Sequence, residues 1–302
     1  MNWNLLASYG WIILIPLLLV AVGWIIAVGF LNAYGHWKWR KKTECIVTRL
    51  RQTRQTPLKG IFNADELNGL PTPVQRYFKT VLSDGQPIIT GVTLRQIGVF
   101  NVSETGEKWQ PFHSEQHVTT TPPGFVWNAS VRMFPGIPTR VHDAYVAGKG
   151  YLQASLFGAI TLADLKETPE IAHGELMRYL AEAAWYPTAL LPSQGVLWEP
   201  VDENSAKAKI KDGETELSMV FHFDTNGLIE SVFSAKRGRK VGGKVITTPW
   251  EGRWTDYEKH GGMLIPTKGT VAWILPEGEQ VYWKGKITTI SYEYATAFKP
   301  DK

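Results

Sequence analysis

The sequence predicts an α+β fold, mainly β, in which an N-terminal transmembrane helix precedes a curved antiparallel sheet, or half-barrel. Two or more helices are expected to cover part of this sheet. Three observations carry the prediction: an uncharged opening run, a series of short β-branched and aromatic segments, and two helical patterns beside them. No crossover helices separate the short segments, so antiparallel pairing is expected.

The uncharged opening run, Met1–Gly35, has the composition of a membrane span. From Trp11 to Tyr34 nearly every residue is apolar, small or aromatic. About 24 residues at about 1.5 Å each reach roughly 36 Å, enough to cross a hydrocarbon core of about 30 Å. A cleaved signal peptide would carry its basic residues before the apolar run, whereas here they follow it. Residues 1–36 are therefore predicted to be a transmembrane anchor.

Positive charge is unequally distributed around this run. No Lys or Arg precedes it, whereas basic side chains follow it at once and continue to Arg54. Positive charge next to a span tends to stay in the cytoplasm, so we expect a single-pass protein of the cell membrane with a cytoplasmic domain. The side chains expected at the membrane surface beside the span are Trp37, Lys38, Trp39, Arg40, Lys41 and Lys42.

The chain beyond the anchor divides into two parts. Residues 37–70 are predicted to be a basic stem and linker, and residues 71–302 one β-rich α+β domain. The formal net charge of +4 is smaller than the basic excess of the stem, so the domain is near neutral. A near-neutral domain is not a general nucleic-acid binder. Cys45 is the only cysteine, so no disulfide can form within the chain.

The domain contains strand-like segments and a first helical pattern. Apolar residues from Val74 to Leu82 recur at helical spacing and form one stripe of a short helix. Asp212-Gly213 and Asn226-Gly227 stand between alternating runs and are strong hairpin signals. The earlier strand-like segments, which Gly and Pro separate, are residues 90–103, 123–134, 140–148 and 150–158.

A second helical pattern lies near residues 170–186 and ends at Pro187. Glu175, Arg178 and Glu182 share one side of it, at spacings that suit ion pairs on a solvated face. The alternative is that Arg178 and Glu182 are polar fixing points at the mouth of a cavity. The sequence leaves both interpretations open.

The many large aromatic side chains of the domain predict a cavity on one face of the sheet. A broad sheet with many large rings needs an apolar cover, and two short helices are too small to provide all of it. Loops, a partner or a ligand then fill the uncovered area. We expect Trp127, Phe134, Trp185, Trp250 and Trp273 to be mostly buried and in part to line an apolar pocket. Arg178 and Glu182, or Arg140 on a neighbouring strand, are the expected polar groups at its mouth.

A cluster of positive charge occupies a glycine-rich hairpin tip later in the chain. One interpretation is a solvated edge that charge protects from pairing with other strands. The other is contact with anionic headgroups, which attract each basic residue near the surface by about 1 kcal/mol. The side chains assigned to the membrane surface in this second interpretation are Lys236, Arg237, Arg239 and Lys240.

The best candidate for a metal site in the sequence has only a weak signal. His113, Glu115 and His117 alternate, so a strand would project all three from one face. Thr119 and Thr121 continue that face, which is typical of an ordinary solvated side of a sheet. No nucleophile elbow, nucleotide-binding glycine loop or zincin spacing is present, so no cofactor and no catalytic residue is assigned.

Several motifs carry a resemblance to a known family: "LPTPVQRYF", "ELMRYLAEAAWYPTALLP", "FHFDTNGLIESV" and "TPWEGRWTDYEKHGGMLIPTKGTVAW". Together they resemble an uncharacterised family of bacterial membrane-anchored proteins. The closing meander, with Tyr257, the 262–266 turn and Trp273, is more remotely similar to the periplasmic lipoprotein-carrier (LolA-like) group. That resemblance implies a curved antiparallel sheet over helices with acyl chains in the hollow. It also favours a periplasmic domain, against the charge rule.

The leading functional interpretation is a non-catalytic, membrane-anchored module that binds an apolar or lipid-like ligand. The expected partners are the lipid bilayer and a lipid or apolar small molecule. The alternative is a structural or assembly partner of another membrane protein, which an exposed apolar patch would indicate. A metal-assisted enzyme that uses His113, Glu115 and His117 is the third interpretation.

Overall fold

The computed structural model describes residues 3–103, 106–134 and 137–295, with side chains described for 14–103, 106–133 and 138–295. The helices in these ranges are α1 (Trp3–Gln52), α2 (Thr72–Val81) and α3 (Pro169–Glu182), with 3-10 turns near residues 64–67 and 183–194. The first six strands are β1 (Ile89–Asn101), β2 (Trp109–Thr119), β3 (Gly124–Phe134), β4 (Ile137–Val146), β5 (Lys149–Leu156) and β6 (Ile160–Lys166). The others are β7 (Leu197–Pro200), β8 (Ser205–Asp212), β9 (Thr215–Phe223), β10 (Ile229–Val241), β11 (Lys244–His260), β12 (Met263–Leu275) and β13 (Gly278–Tyr294).

α1 is one continuous helix of 50 residues. Its part Leu14–Gln52 contains an 18-residue window with a mean hydropathy of 2.7, and none of that window is buried in the protein. By length and composition this helix is apolar enough to cross a membrane. The basic residues continue the same helix as far as Gln52, so the predicted stem is not separated from the apolar run by a break.

All thirteen strands belong to one sheet in the order β6-β5-β4-β3-β2-β1-β13-β12-β11-β10-β9-β8-β7. Every neighbouring pair is antiparallel. The sheet is curved but does not close into a barrel, and β6 and β7 are its edges. The predicted curved antiparallel sheet with helices near 73–82 and 170–186 is confirmed.

The two faces of the sheet have different neighbours. We call the inner face the side that carries Phe125, Tyr145 and Phe221, all in the main core with α2 and α3. The Tyr145 hydroxyl on β4 donates a 2.8 Å hydrogen bond to Asp212 at the end of β8. These two strands are separated by eight others in the sheet order, so this bond shows how far the sheet curls around its inner face.

The packed region of the inner face lies around α2. Tyr77 and Phe78 of this helix are fully buried, and the ring centroid of Tyr77 lies 5.7 Å from that of Phe223 on β9. The chain after α3 packs here too, where the Trp198 indole donates to the Leu190 carbonyl at 2.9 Å. The apolar stripe of α2 therefore covers the sheet as its spacing predicts.

The outer face of β2–β5 holds the basic part of α1. Val47 and Leu50 form a small apolar cluster with Val126 and Ala144. Trp39, which was expected at the membrane surface, is only 4% exposed, because its indole donates to Asn128 at 2.9 Å and stacks on a β4 histidine. The other side chains of that predicted set remain exposed: Trp37, Lys38, Arg40, Lys41 and Lys42.

His142 is the histidine beneath Trp39, with their ring centroids 3.9 Å apart. Burial lowers its pKa to about 3, and the charge of Lys42 adds to this effect. The imidazole is therefore neutral at physiological pH, as stacking beneath an indole in a basic helix requires.

Candidate functional site

A cavity of about 240 Å³ lies on the inner face beside α3. Its lining is rich in aromatic rings, although five acidic or basic groups share it. Small-molecule pockets typically measure about 300–1,000 Å³, so this one suits a small amphiphile or a single apolar chain. The tryptophans that line it are Trp127, Trp185, Trp250, Trp254 and Trp283.

The aromatic rings support one another. Trp185 and Trp254 meet edge to face with their centroids 5.0 Å apart. The Trp250 indole donates a 2.8 Å hydrogen bond to the Tyr282 hydroxyl. Beneath Trp254 the opposing residue on β12 is Gly269, where a Cβ atom would overlap the indole ring. The wall is thus a set of rings in fixed contact, with Tyr282 partly exposed at its open side.

A buried ion cluster occupies the wall formed by α3 and β4. Arg178 donates to Glu182 at 2.7 Å and forms a second ion pair with Asp143. Its guanidinium also lies 4.8 Å from the ring centroid of Trp127. The free oxygen of Glu182 accepts a 2.7 Å bond from Gln116 on β2. Arg178 and Glu182 are thus paired and hydrogen-bonded, as buried charges need to be, whereas Asp143 keeps one oxygen without a partner among the described residues.

Glu175 lies one turn earlier on α3 and is also buried. Burial raises the pKa of its carboxyl well above the ordinary value, and the negative charge of Asp143 raises it further, against the opposing effect of Arg178. The neutral, protonated form is therefore favoured. A protonated Glu175 can donate a hydrogen bond to Asp143, the same residue that pairs with Arg178.

These observations decide between the two interpretations of the second helical pattern. The interpretation of Glu175, Arg178 and Glu182 as a solvated face is wrong, because the two carboxyl residues are buried and the arginine side chain is only 15% exposed. Their helical spacing instead directs all three toward the inner face of the sheet.

The predicted cavity residues fall into three groups. Trp127, Trp185 and Trp250 line the cavity, and all are buried. Trp273 is half-buried just outside it and stacks on Tyr282 at 5.4 Å. The side chain of Phe134 lies outside the described residues.

Arg140 is not at the cavity. It shares β4 with Val141 and Asp143, which line the cavity, but successive strand residues point to opposite faces. Its side chain lies on the outer face, where it hydrogen-bonds His36 of α1 at 3.2 Å. The choice of Arg140 as a polar group at the cavity mouth is therefore corrected to a contact between the sheet and α1.

The basic hairpin β10–β11 also differs from the expected surface cluster. Lys236 and Lys240 are exposed, but two arginines turn inward. Arg237 lines the cavity, and Arg239 lies 5.7 Å from the Trp273 ring and donates to Gln280 at 2.6 Å. The membrane-surface assignment of these two arginines is therefore corrected, because aromatic rings of the inner face cover them.

The three weak metal candidates share the outer face, as their alternation predicts. His117 lies 3.2 Å from Glu115, which Arg95 also contacts at 2.8 Å, while His113 is exposed. Burial alone would raise the pKa of Glu115, but hydrogen bonds from Arg95 and His117 outweigh it and lower the pKa. Within residues 3–103, 106–134 and 137–295, no group of three such side chains is placed to hold a metal ion.

Sequence reasoning missed some lining residues that have a recognisable signal. Asp143 stands between Val141 and Tyr145 on an otherwise apolar strand face, which marks a buried acid with a partner. Glu175 precedes Arg178 by three residues and so belongs to the same helix side. Trp254 and Tyr282 carry no such signal, because strand alternation alone does not say which rings surround a gap.

The fold and the site together define a class of protein. Its members are open half-barrels with an aromatic, partly charged cavity and a long apolar N-terminal helix. The chain belongs to a family of unknown function, DUF6920, whose model matches residues 68–292. The predicted membership of a family without an assigned function is thereby confirmed. A search of curated proteins finds no match.

Two solved structures show distant similarity. A LolA superfamily protein from Nitrosomonas europaea is 9% identical with a TM-score of 0.32, over 74% of this chain and 92% of that chain. A β-barrel-like protein of domain of unknown function DUF1849 from Brucella abortus is 10% identical with a TM-score of 0.23, over 68% and 98%. The first is in line with the predicted LolA-like resemblance. At these TM-scores neither likeness bears on the ligand or the activity of this chain.

Proposed function

We propose that this chain is a membrane-anchored, non-catalytic protein that binds an apolar or lipid-like ligand in its aromatic cavity. The observation that carries the proposal is the cavity itself, an opening of about 240 Å³ between tryptophan rings that the chain's own helices leave unfilled. Protein interiors are normally close-packed, so an aromatic gap of this size is the expected place for an apolar guest. Trp127, Trp185 and Trp250 form its wall, and Arg178 and Glu182 its polar side.

The anchor in this proposal is the apolar part of α1. Its rings and aliphatic side chains are exposed over the described length, as contact with lipid requires. The basic part of the same helix is fixed on the outer face by Trp39, Leu50 and the Lys42 contact to Gln153. A helix that is part of the folded domain in this way is suited to remain as an anchor.

The proposed orientation places the domain in the cytoplasm. Lys38, Arg40, Lys41 and Lys42 stay exposed directly after the apolar segment, so the flanking charge that the rule requires is present in the folded chain. Reporter fusions after Lys302 test this orientation. A fluorescent cytoplasmic reporter is expected to be active there, whereas alkaline phosphatase activity would place the domain on the other side.

The ligand proposal is tested on the full chain in phosphatidylcholine nanodiscs. Decanol is expected to raise the melting temperature and change the tryptophan fluorescence, because it occupies the cavity of the folded state alone. Val271→Trp places a larger side chain in the cavity lining and is expected to abolish both effects. Val245→Trp makes the same change at an exposed position of β11 and serves as the matched control. Equal responses in the two variants would reject the cavity as the binding site.

The alternative function, an assembly partner of another membrane protein, has one observation in its favour. Edge strand β6 exposes Ile160, Leu162 and Leu165, and a free apolar strand edge is suited to pairing with another chain. Replacing Leu162 by Lys distinguishes the two functions. It is expected to leave decanol binding unchanged, and to disrupt a complex with another protein if assembly is the function.

A further inference from the structure

We propose that the ligand carries an anionic headgroup, a carboxylate or a phosphate ester at the end of an apolar chain, and that Arg237 binds it inside the cavity. This inference rests on the proposed function, since it names the chemical class of the ligand for the same cavity.

A β-bulge places Arg237 at the cavity. Ser234 pairs with Trp250 and Arg237 with Thr248, so two residues of β10 oppose one residue of β11 between these pairs. Such a bulge changes which strand residues face inward and often re-aims a side chain at a binding site. Directly before the bulge Val232 and Ser234 face the core, whereas after it Arg237 turns inward. Its guanidinium lies 4.8 Å from the ring centroid of Trp250.

Arg237 lacks the partners that other inward-facing arginines have. Its Nη1 atom is buried and, among the residues that the structure describes, has no hydrogen-bond partner. Arg178 in the same cavity bonds two carboxylates, and Arg239 on the same strand bonds Gln280. A buried guanidinium N–H without an acceptor is costly, so an acceptor from outside the chain would stabilise this arrangement.

The neighbouring acid is not a suitable counter-ion. Glu175 is the carboxyl on this side of the cavity that forms no ion pair among the described residues, and burial and the charge of Asp143 hold its pKa well above the ordinary value, despite the opposing effect of Arg178 and Arg237. In its neutral form it gives Arg237 no negative charge. The anion therefore comes from the ligand, with the headgroup at Arg237 and the chain between Trp250, Trp254 and Trp185.

Four probes with the same ten-carbon chain test the proposal: decanoate, decyl phosphate, decanol and decyltrimethylammonium. Each is titrated into the full chain in phosphatidylcholine nanodiscs, and tryptophan fluorescence is corrected with protein-free nanodiscs. The wild-type chain is expected to bind the preferred anion about 10-fold more tightly than decanol, since hydrogen bonds to charged groups are worth more than neutral ones. The stronger of decanoate and decyl phosphate identifies the headgroup as a carboxylate or a phosphate.

Arg237→Gln is expected to bind decanol normally and to lose the preference for the anion, and Arg237→Lys to retain part of it. Lys236→Gln removes a charge from the adjacent, exposed position and is expected to keep the wild-type preference. Retention of the preference in Arg237→Gln, or tighter binding of the cationic probe, would overturn the inference while the proposed function stands. A chain that binds none of the four probes overturns both.

Discussion

The packed region around α2 and the cavity beside α3 lie on the same inner face, but only the first is filled by the chain itself. At α2, the rings of Tyr77 and Phe78 are fully buried, with their centroids 5.3 Å apart. At the cavity, Phe100 and Tyr282 are only half-buried, although their rings are in contact as well, edge to face with centroids 5.8 Å apart. The difference between the two regions comes from the helix that covers each.

α2 presents aliphatic and aromatic side chains to the sheet and none that is charged, so it can pack closely against the strands. α3 presents Glu175, Arg178 and Glu182 on the side that faces the sheet. Arg178 pairs with Asp143 on β4, and Glu182 accepts a hydrogen bond from Gln116 on β2. This polar part of the helix does not fill the space beside it with apolar side chains, and the cavity lies there. The four predictions below test this comparison.

The largest expected effect is at the packed region. Phe78→Ala leaves a hole that rigid neighbours cannot fill, so we expect the free energy of unfolding to fall by about 3–5 kcal/mol. Phe100→Ala, beside the existing cavity, is expected to cost about 1 kcal/mol, because its ring is already partly exposed. Urea unfolding of the full chain in detergent, followed by circular dichroism, measures both. Equal losses would show that the two regions are packed alike.

The second prediction concerns the ion cluster. Arg178→Met leaves Asp143 and Glu182 buried without their cation, and we expect a loss of about 3 kcal/mol at neutral pH. Arg95→Met removes an exposed ion pair with Glu115 and is the control, with an expected loss below about 1 kcal/mol. A loss in Arg178→Met as small as in the control would mean that the buried cluster contributes no more to stability than an exposed ion pair does.

The third prediction uses two glycines. At Gly269 a Cβ atom would overlap the ring of Trp254, so Gly269→Ala forces this cavity wall to move and is expected to cost about 1–3 kcal/mol. At Gly174 of α3 nothing lies within 4 Å of an added Cβ, and Gly174→Ala is expected to stabilise the chain by about 0.5–1 kcal/mol. Melting temperatures of the two variants, compared with wild type, should therefore shift in opposite directions. A shift in the same direction would contradict the placement of Trp254 over the glycine.

The fourth prediction is a dependence of stability on pH. The pKa of Glu175 is raised in the folded state, so folding favours its protonated form, and the contribution of Glu175 to the free energy of unfolding falls as pH rises above about 4.5, the value for an unperturbed group. The slope is at most about 1.4 kcal/mol per pH unit until the folded pKa is passed. Glu175→Gln cannot ionise, so its melting temperature relative to wild type is expected to increase from pH 5 to pH 8. A constant difference over this range would mean that Glu175 is already ionised.

The apolar patterns of the sequence predicted most of the architecture. The stripe of Val74, Tyr77 and Phe78 indicated the buried side of α2, and the Asp-Gly and Asn-Gly pairs marked real turns, since Gly213 and Gly227 both have positive φ angles. These features depend on local spacing, and local spacing is what a sequence displays directly.

The charged part of the site was harder to predict, for two physical reasons. Whether α3 turns Glu175 and Arg178 toward water or inward depends on Asp143, a partner 32 or more residues away. The inward position of Arg237 depends on a bulge, which breaks strand alternation without any marker in the residues themselves. Long-range pairing and bulges together therefore account for the misplaced arginines.

The contact between Gly35 and the turn at Phe157 has a mechanical consequence. A Cβ atom at Gly35 would overlap the Phe157 carbonyl oxygen, so helix and sheet already touch where the apolar segment of α1 ends. Leu50 is also buried, at the other end of the part of α1 that packs on the sheet. The sheet therefore cannot rotate freely relative to the helix. One inserted residue between Phe30 and Gly35 would turn the apolar segment by about 100° about its own axis relative to the sheet. The direction in which the cavity faces therefore depends on the rotation of α1 about its own axis. Any tilt of α1 would tilt the whole half-barrel with it.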